Sequence, residues 1–109
     1  DSQTKIRKSM LDPNAKRIFW YLFAGSRGGN NRIKIIELLK EHPHNINQLA
    51  ETLKLDYKAI QHHISVLVKN NMISKVGEKY GVSYFISDYL ESNITAFDQI
   101  ASQIRESTK

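Results

Sequence analysis

Apolar residues recur at helical spacing along most of this chain, interrupted once by a stretch that alternates as a strand pair does. Ala15, Ile18, Phe19, Leu22 and Phe23 fall at i, i+3, i+4, i+7 and i+8, one wide apolar face. Asp12 suits an N-cap, Pro13 the first helical position, and Gly25 a stop that tolerates positive φ. The spacing predicts a helix over 13–24, although residues 18–23 taken alone also read as a strand. Trp20 and Tyr21 lie off the stripe; they either flank a broad core face, the reading preferred here, or offer a partner surface.

Residues 26–30, Ser-Arg-Gly-Gly-Asn, form a turn. They match neither glycine-rich phosphate-binding pattern, so chain reversal is the simpler reading. A second helix follows over about 31–41, with Ile33, Ile35, Ile36, Leu38 and Leu39 inside and Pro43 as its stop. Asn45 and Gln48 have capping-box spacing before a third helix that carries Ile46, Leu49, Ala50 and Leu53. Leu55 sits in the next turn, and Asp56 caps a fourth helix over roughly 57–70, patterned by Ile60, Ile64, Leu67 and Val68. Asn71 follows, where a left-handed residue is wanted. Residues 72–76 and 82–86 read as short strands around the loop 77–81, a hairpin in which Tyr84 and Phe85 face opposite ways. A last helix over about 88–106, opened by Ser87 or Asp88, spaces Leu90, Ile94, Phe97, Ala101 and Ile104 as a heptad seam.

The expected fold is mainly α with a small β-hairpin, a winged helix-turn-helix with additional N- and C-terminal helices. It follows a basic arm at 1–11, so that 12–109 is one domain. A chain of 109 residues buries one core, not two. No stretch approaches the ~20 apolar residues of a membrane span, and a soluble, cytoplasmic chain without membrane partners is expected. Asp1 stands first, without Met or a signal-like apolar segment, which suggests a fragment. The absence of cysteine removes disulfides, thiolate metal sites and a cysteine nucleophile.

Charge sharpens this picture. Residues 1–32 carry seven cations against two acids, so +5, whereas 33–72 carry +1 and 73–109 carry −1. A basic first third, including Lys5, Arg7 and Lys8, suggests a polyanionic partner such as nucleic acid or an anionic membrane face; the alternative is a solvated tail.

Two helices separated by only Lys54-Leu55-Asp56 have the spacing of a helix-turn-helix whose second helix is free to enter a major groove. The run from Gln48-Leu49-Ala50 through His62-His63-Ile64-Ser65-Val66-Leu67 to Met72-Ile73 resembles the helix-turn-helix of ArsR-like winged-helix regulators, especially archaeal ones. The resemblance covers about residues 31–86, with weaker support over 20–32. Asn71 stands where that family commonly has Gly, and the lack of cysteine speaks against its metal-sensing branch.

With Ile60, Ile64 and Leu67 facing inward, Tyr57, Lys58, Gln61, His62 and Ser65 fall on the outer side of the fourth helix. Gln pairs with an adenine edge, Lys with guanine or phosphate, and Ser or Tyr with phosphate. Lys75, Lys79 and Tyr80 sit on the hairpin; the resemblance implies a wing along the neighbouring backbone or minor groove, although Glu78 opposes phosphate. His63 takes the family's half-buried histidine position, and His62 is the more exposed. Helix termination and solvent exposure account for His42-Pro43-His44 better than metal binding does.

The resemblance also implies a homodimer built from the terminal helices. Its interface would be Phe19, Leu22 and Phe23 with Leu90, Ile94, Phe97, Ala101 and Ile104, and Trp20 or Tyr21 would lie at the rim. The alternative is that the last helix buries this seam within one chain. Function is expected to be sequence-specific double-stranded DNA binding by a transcriptional regulator. A winged-helix adaptor of the transcription machinery, without base contacts, is the second reading. No catalytic triad, carboxylate pair, metal constellation or nucleotide loop argues for an enzyme, and no cofactor is implied.

Overall fold

The computed structural model describes residues 12–25, 27–77 and 81–107. Helix α1 (Ala15–Phe19) runs directly into a π-helical turn (Trp20–Ala24), followed by α2 (Gly29–Glu41), α3 (Ile46–Leu53) and α4 (Tyr57–Lys69). Strands β1 (Ile73–Val76) and β2 (Ser83–Ile86) pair antiparallel, and α5 (Asp88–Ser92) and α6 (Ile94–Ser107) complete the chain. This is the mainly helical winged helix-turn-helix that the pattern predicts. Among the described residues no helix is long and apolar enough to cross a membrane.

The start of the first helix departs from expectation. Asn14, not Asp12, is its N-cap, and no side chain caps it. The Asp12 carboxylate instead accepts from the Asn14 N–H at 2.8 Å and from the Tyr89 hydroxyl at 2.6 Å. Asp12's own N–H donates to Asn93 Oδ1 at 3.1 Å, so the entry to α1 is tied to the far end of the chain. These bonds hold the Asp12 carboxyl below its ordinary pKa, with the Tyr89 bond first, and burial followed by the same bond raises that of Tyr89. The helical segment ends at Ala24 with Gly25 as its cap, as predicted, but without the positive φ. Gly25 has an ordinary φ of −88°, and its N–H closes the π turn onto the Trp20 carbonyl at 2.7 Å. Trp20 and Tyr21 are 50% and 66% exposed, because the chain covers only the Phe19–Leu22–Phe23 side of this segment. The preferred reading of them as flank of the core face is corrected.

The last helix is two. At Asn93 the chain turns, and the Asn93 side-chain amide donates to the Tyr89 carbonyl at 2.8 Å. An asparagine that satisfies nearby backbone competes with the helix itself. The corner folds α6 back across α1 and α2. Phe97 packs edge-to-face on Phe23 at 5.1 Å and on Phe19 at 6.4 Å between ring centroids. Lys40 of α2 bonds Asp98 of α6 at 2.8 Å.

Phe19, Leu22, Phe23, Leu90, Phe97, Ala101 and Ile104 are therefore buried in the chain's own core, and Ile94 packs half-buried against it. This placement corrects the expectation that the heptad seam is itself subunit surface. An intrachain contact forms without the translational and rotational cost of association, so a fold that brings the terminal helices together closes the seam first.

Between α3 and α4 the chain reverses in a few residues. The Asn45 side chain accepts from the Gln48 N–H at 2.7 Å, and the Gln48 side chain accepts from the Asn45 N–H at 2.8 Å, the predicted capping box. Lys54 ends α3 in the left-handed region at φ +58°, and Asn71 does the same after α4 at φ +59°. Asparagine bears this conformation readily; lysine bears it at a cost. Lys54→Gly is expected to raise stability by roughly 0.5 kcal/mol and Lys54→Val to lower it by about 1 kcal/mol. Urea midpoints at constant slope would check both.

Candidate nucleic-acid interface

The Asp56 carboxylate accepts from the Ala59 N–H at 2.7 Å and starts α4 where the sequence places it. Ile60, His63, Ile64 and Leu67 face the core, which leaves Tyr57, Lys58, Gln61, His62 and Ser65 exposed. Residues four apart on a helix stack along one row. Tyr57, Gln61 and Ser65 make one such row, and Lys58 and His62 a second beside it.

The first row meets the hairpin. Tyr57 and Gln61, with Lys75 of β1 and Tyr84 of β2, line a cleft of about 360 Å³ together with Asn45, Ile46 and Asn47 at the start of α3. Lys58, His62 and Ser65 lie on the same helix but outside this cleft. Lys79 and Tyr80, with Glu78, lie outside the described residues, as does the basic arm. Pattern reading missed Asn47 and Tyr84 at this site, because only the fold brings the α3 start against β2.

That approach has a backbone cause. The His44 N–H donates to the Tyr84 carbonyl at 3.1 Å, and the Tyr84 N–H donates to the His44 carbonyl at 2.8 Å. The α2–α3 connection is thus tied to the hairpin by one isolated antiparallel bridge. His44 is consequently buried, correcting its expected exposure, and its ring stacks on His42 at 4.3 Å. The Nδ1 atoms of His42 and His44 lie 3.0 and 2.8 Å from backbone carbonyls. Among the described residues no group of His, Asp or Glu gathers as a metal would require. Phe85 and Tyr84 are both half-buried, so the strict in-and-out alternation expected of them is softened.

Behind the interface, Arg32 is only 3% exposed and His63 7%. Arg32 Nε donates to the Leu22 carbonyl at 3.0 Å and Nη2 to the Arg27 carbonyl at 3.2 Å, while Nη1 lies 3.3 Å from His63 Nδ1. The adjoining glycines allow this closeness. A Cβ on Gly29 would stand 2.2 Å from the Phe23 carbonyl oxygen, and one on Gly28, at φ +86°, 2.7 Å from His63 Cε1. Burial, then the charge of Arg32 and of His62, holds His63 below its ordinary pKa. Sequence reading counted Arg32 with the surface cations. Its spacing to Ile35, Ile36 and Leu39 already placed it on the inner face of α2.

A helix-turn-helix with a hairpin wing and a polar outer face on its second helix defines a winged helix-turn-helix protein. Residues 29–75 match the family described as bacterial regulatory protein, arsR family. The matched segment runs from the start of α2 through the helix-turn-helix into β1. Among solved structures, reduced HlyU from Vibrio cholerae is similar at 17% identity and TM-score 0.59, over 96% of this chain and 98% of that one. The adhesin competence repressor from Streptococcus pyogenes is similar at 16% identity and TM-score 0.58, over 84% of this chain and 69% of that one. At such identities the likeness is one of fold. No match was found among curated protein sequences.

Proposed function

We propose that this chain reads specific double-stranded DNA sequences as a transcriptional regulator, with α4 in the major groove and the hairpin along the adjacent backbone or minor groove. The observation that carries this reading is the cleft where Tyr57 and Gln61 of α4 meet Lys75 of the wing. Base-edge chemistry and a phosphate-binding cation there face the same side. Lys58 and His62 extend that surface along the helix, and Lys79 and Tyr80 carry the wing's contribution.

The functional unit in this reading is a cytoplasmic homodimer, which sets two α4 helices about one DNA turn apart, roughly 34–36 Å. Since the apolar seam lies inside each chain, the second copy meets the outer side of the terminal helices, where Trp20 and Tyr21 are exposed.

Selection from random duplexes tests the reading directly. An enriched motif, bound with a steep fall of affinity in salt, is the expected result, and binding without any preference would favour an adaptor. The basic arm supplies a graded check. Each phosphate contact adds about 0.9 to the slope of log affinity against log salt. Removal of residues 1–9 should flatten that slope without changing the motif, and an unchanged slope would take Lys5, Arg7 and Lys8 out of the interface.

A further inference from the structure

The contact between Arg32 and His63 joins α2 to the back of the reading helix, and the DNA-facing surface makes no use of it. A guanidinium can only donate, so His63 Nδ1 accepts across the 3.3 Å contact, and the ring is neutral with its proton on Nε2. A proton added at Nδ1 sets donor against donor and places two cations side by side in a poorly solvated position. The ring lies over Gly28, where a side chain would stand. Arg32 is itself held by the Leu22 carbonyl in the π turn and the Arg27 carbonyl in the turn before α2. A shift of α4 away from α2 would relieve the contact.

We propose that His63 is a positioning residue whose protonation loosens the seating of α4 on α2 and so weakens duplex binding in mild acid, an inference that rests on the DNA-binding reading above. The charged and titratable groups acting on the ring are Arg32 from α2 and His62 from its own helix; Tyr21, on the π turn, acts in turn on Arg32. Gly28 contributes only backbone. The unfolded chain takes up this proton near pH 6.5 and the folded chain resists it. The stabilisation is complete above that pH and is lost as pH falls from there through the folded value.

The experiment compares the unmodified protein with His63→Gln, whose amide oxygen can accept from Arg32 but takes no proton. Affinity for a selected duplex is measured by anisotropy at fixed ionic strength, at about pH 7.5 and about pH 5.5, on either side of the histidine range. The unmodified protein should lose roughly fivefold or more in affinity beyond what the variant loses. Equal losses overturn the proposal. If His63→Gln does not fold, the His63 Cε1 proton is titrated by NMR in the unmodified protein with and without duplex. Linkage then requires the duplex to lower the midpoint, and an unchanged or raised midpoint overturns the proposal. A protein that binds no duplex at any pH overturns the DNA reading and this proposal together, whereas a bound duplex with equal losses overturns the proposal alone.

Discussion

Phe97→Glu is expected to unfold the chain, not to separate a pair of folded subunits. Phe97 is fully buried between Phe19 and Phe23. Truncating such a ring to alanine costs about 3–5 kcal/mol, and a glutamate in its place adds an unpaired charge in the core. A domain of this size has roughly 5–15 kcal/mol in total. Loss of the cooperative thermal transition and of helical circular dichroism is the expected observation. A folded, monomeric Phe97→Glu protein would return the seam to the subunit interface and refute the packing described above. Trp20→Glu is the complementary variant, since Trp20 is half exposed. It should remain folded, and sedimentation should find it monomeric at concentrations where the proposed dimer of the unmodified protein forms.

Gln61→Ala should lose roughly 1–3 kcal/mol on a preferred duplex and relax the preference at particular base pairs. The reason is its position: Gln61 is exposed at the middle of the Tyr57–Gln61–Ser65 row and lines the cleft shared with Lys75. Lys58→Ala should behave differently. A phosphate contact carries no sequence information, so this variant should weaken every duplex alike and lower the salt slope by about 1. Competition binding across a panel of single-base site variants separates the two. Loss of discrimination by Gln61→Ala at particular base pairs, with the preference kept at the others, is the predicted pattern. If Gln61→Ala keeps the full preference, Gln61 does not read bases.

Local rules reach far in this chain. The capping box at Asn45 and Gln48, the Asp56 cap and the left-handed Asn71 each depend on a handful of neighbouring residues, and each stands where the spacing puts it. The outer face of α4 was legible for the same reason, because Ile60, Ile64 and Leu67 mark the inner face by period alone. Charge counting reached less far. It gave Arg32 to the basic surface, although Arg32 stands in helical register with Ile35, Ile36 and Leu39 and is buried with them.

What remained depends on which distant segments meet. An apolar stripe says that a face must be covered, and it is silent on whether the cover comes from the same chain. The corner at Asn93 answers that question here by turning α6 back onto Phe19 and Phe23. The pairing of His44 with Tyr84, which brings Asn47 to the wing cleft, is likewise a backbone contact between segments far apart in sequence. Sequence by itself determined α2, α3, α4, the hairpin and the polar outer face of α4, since hydrogen-bond period and capping act over a few residues. Only the tertiary structure decided that the terminal seam is core and that Arg32 backs α4 through His63, because burial is set by the whole set of surfaces that compete to exclude water.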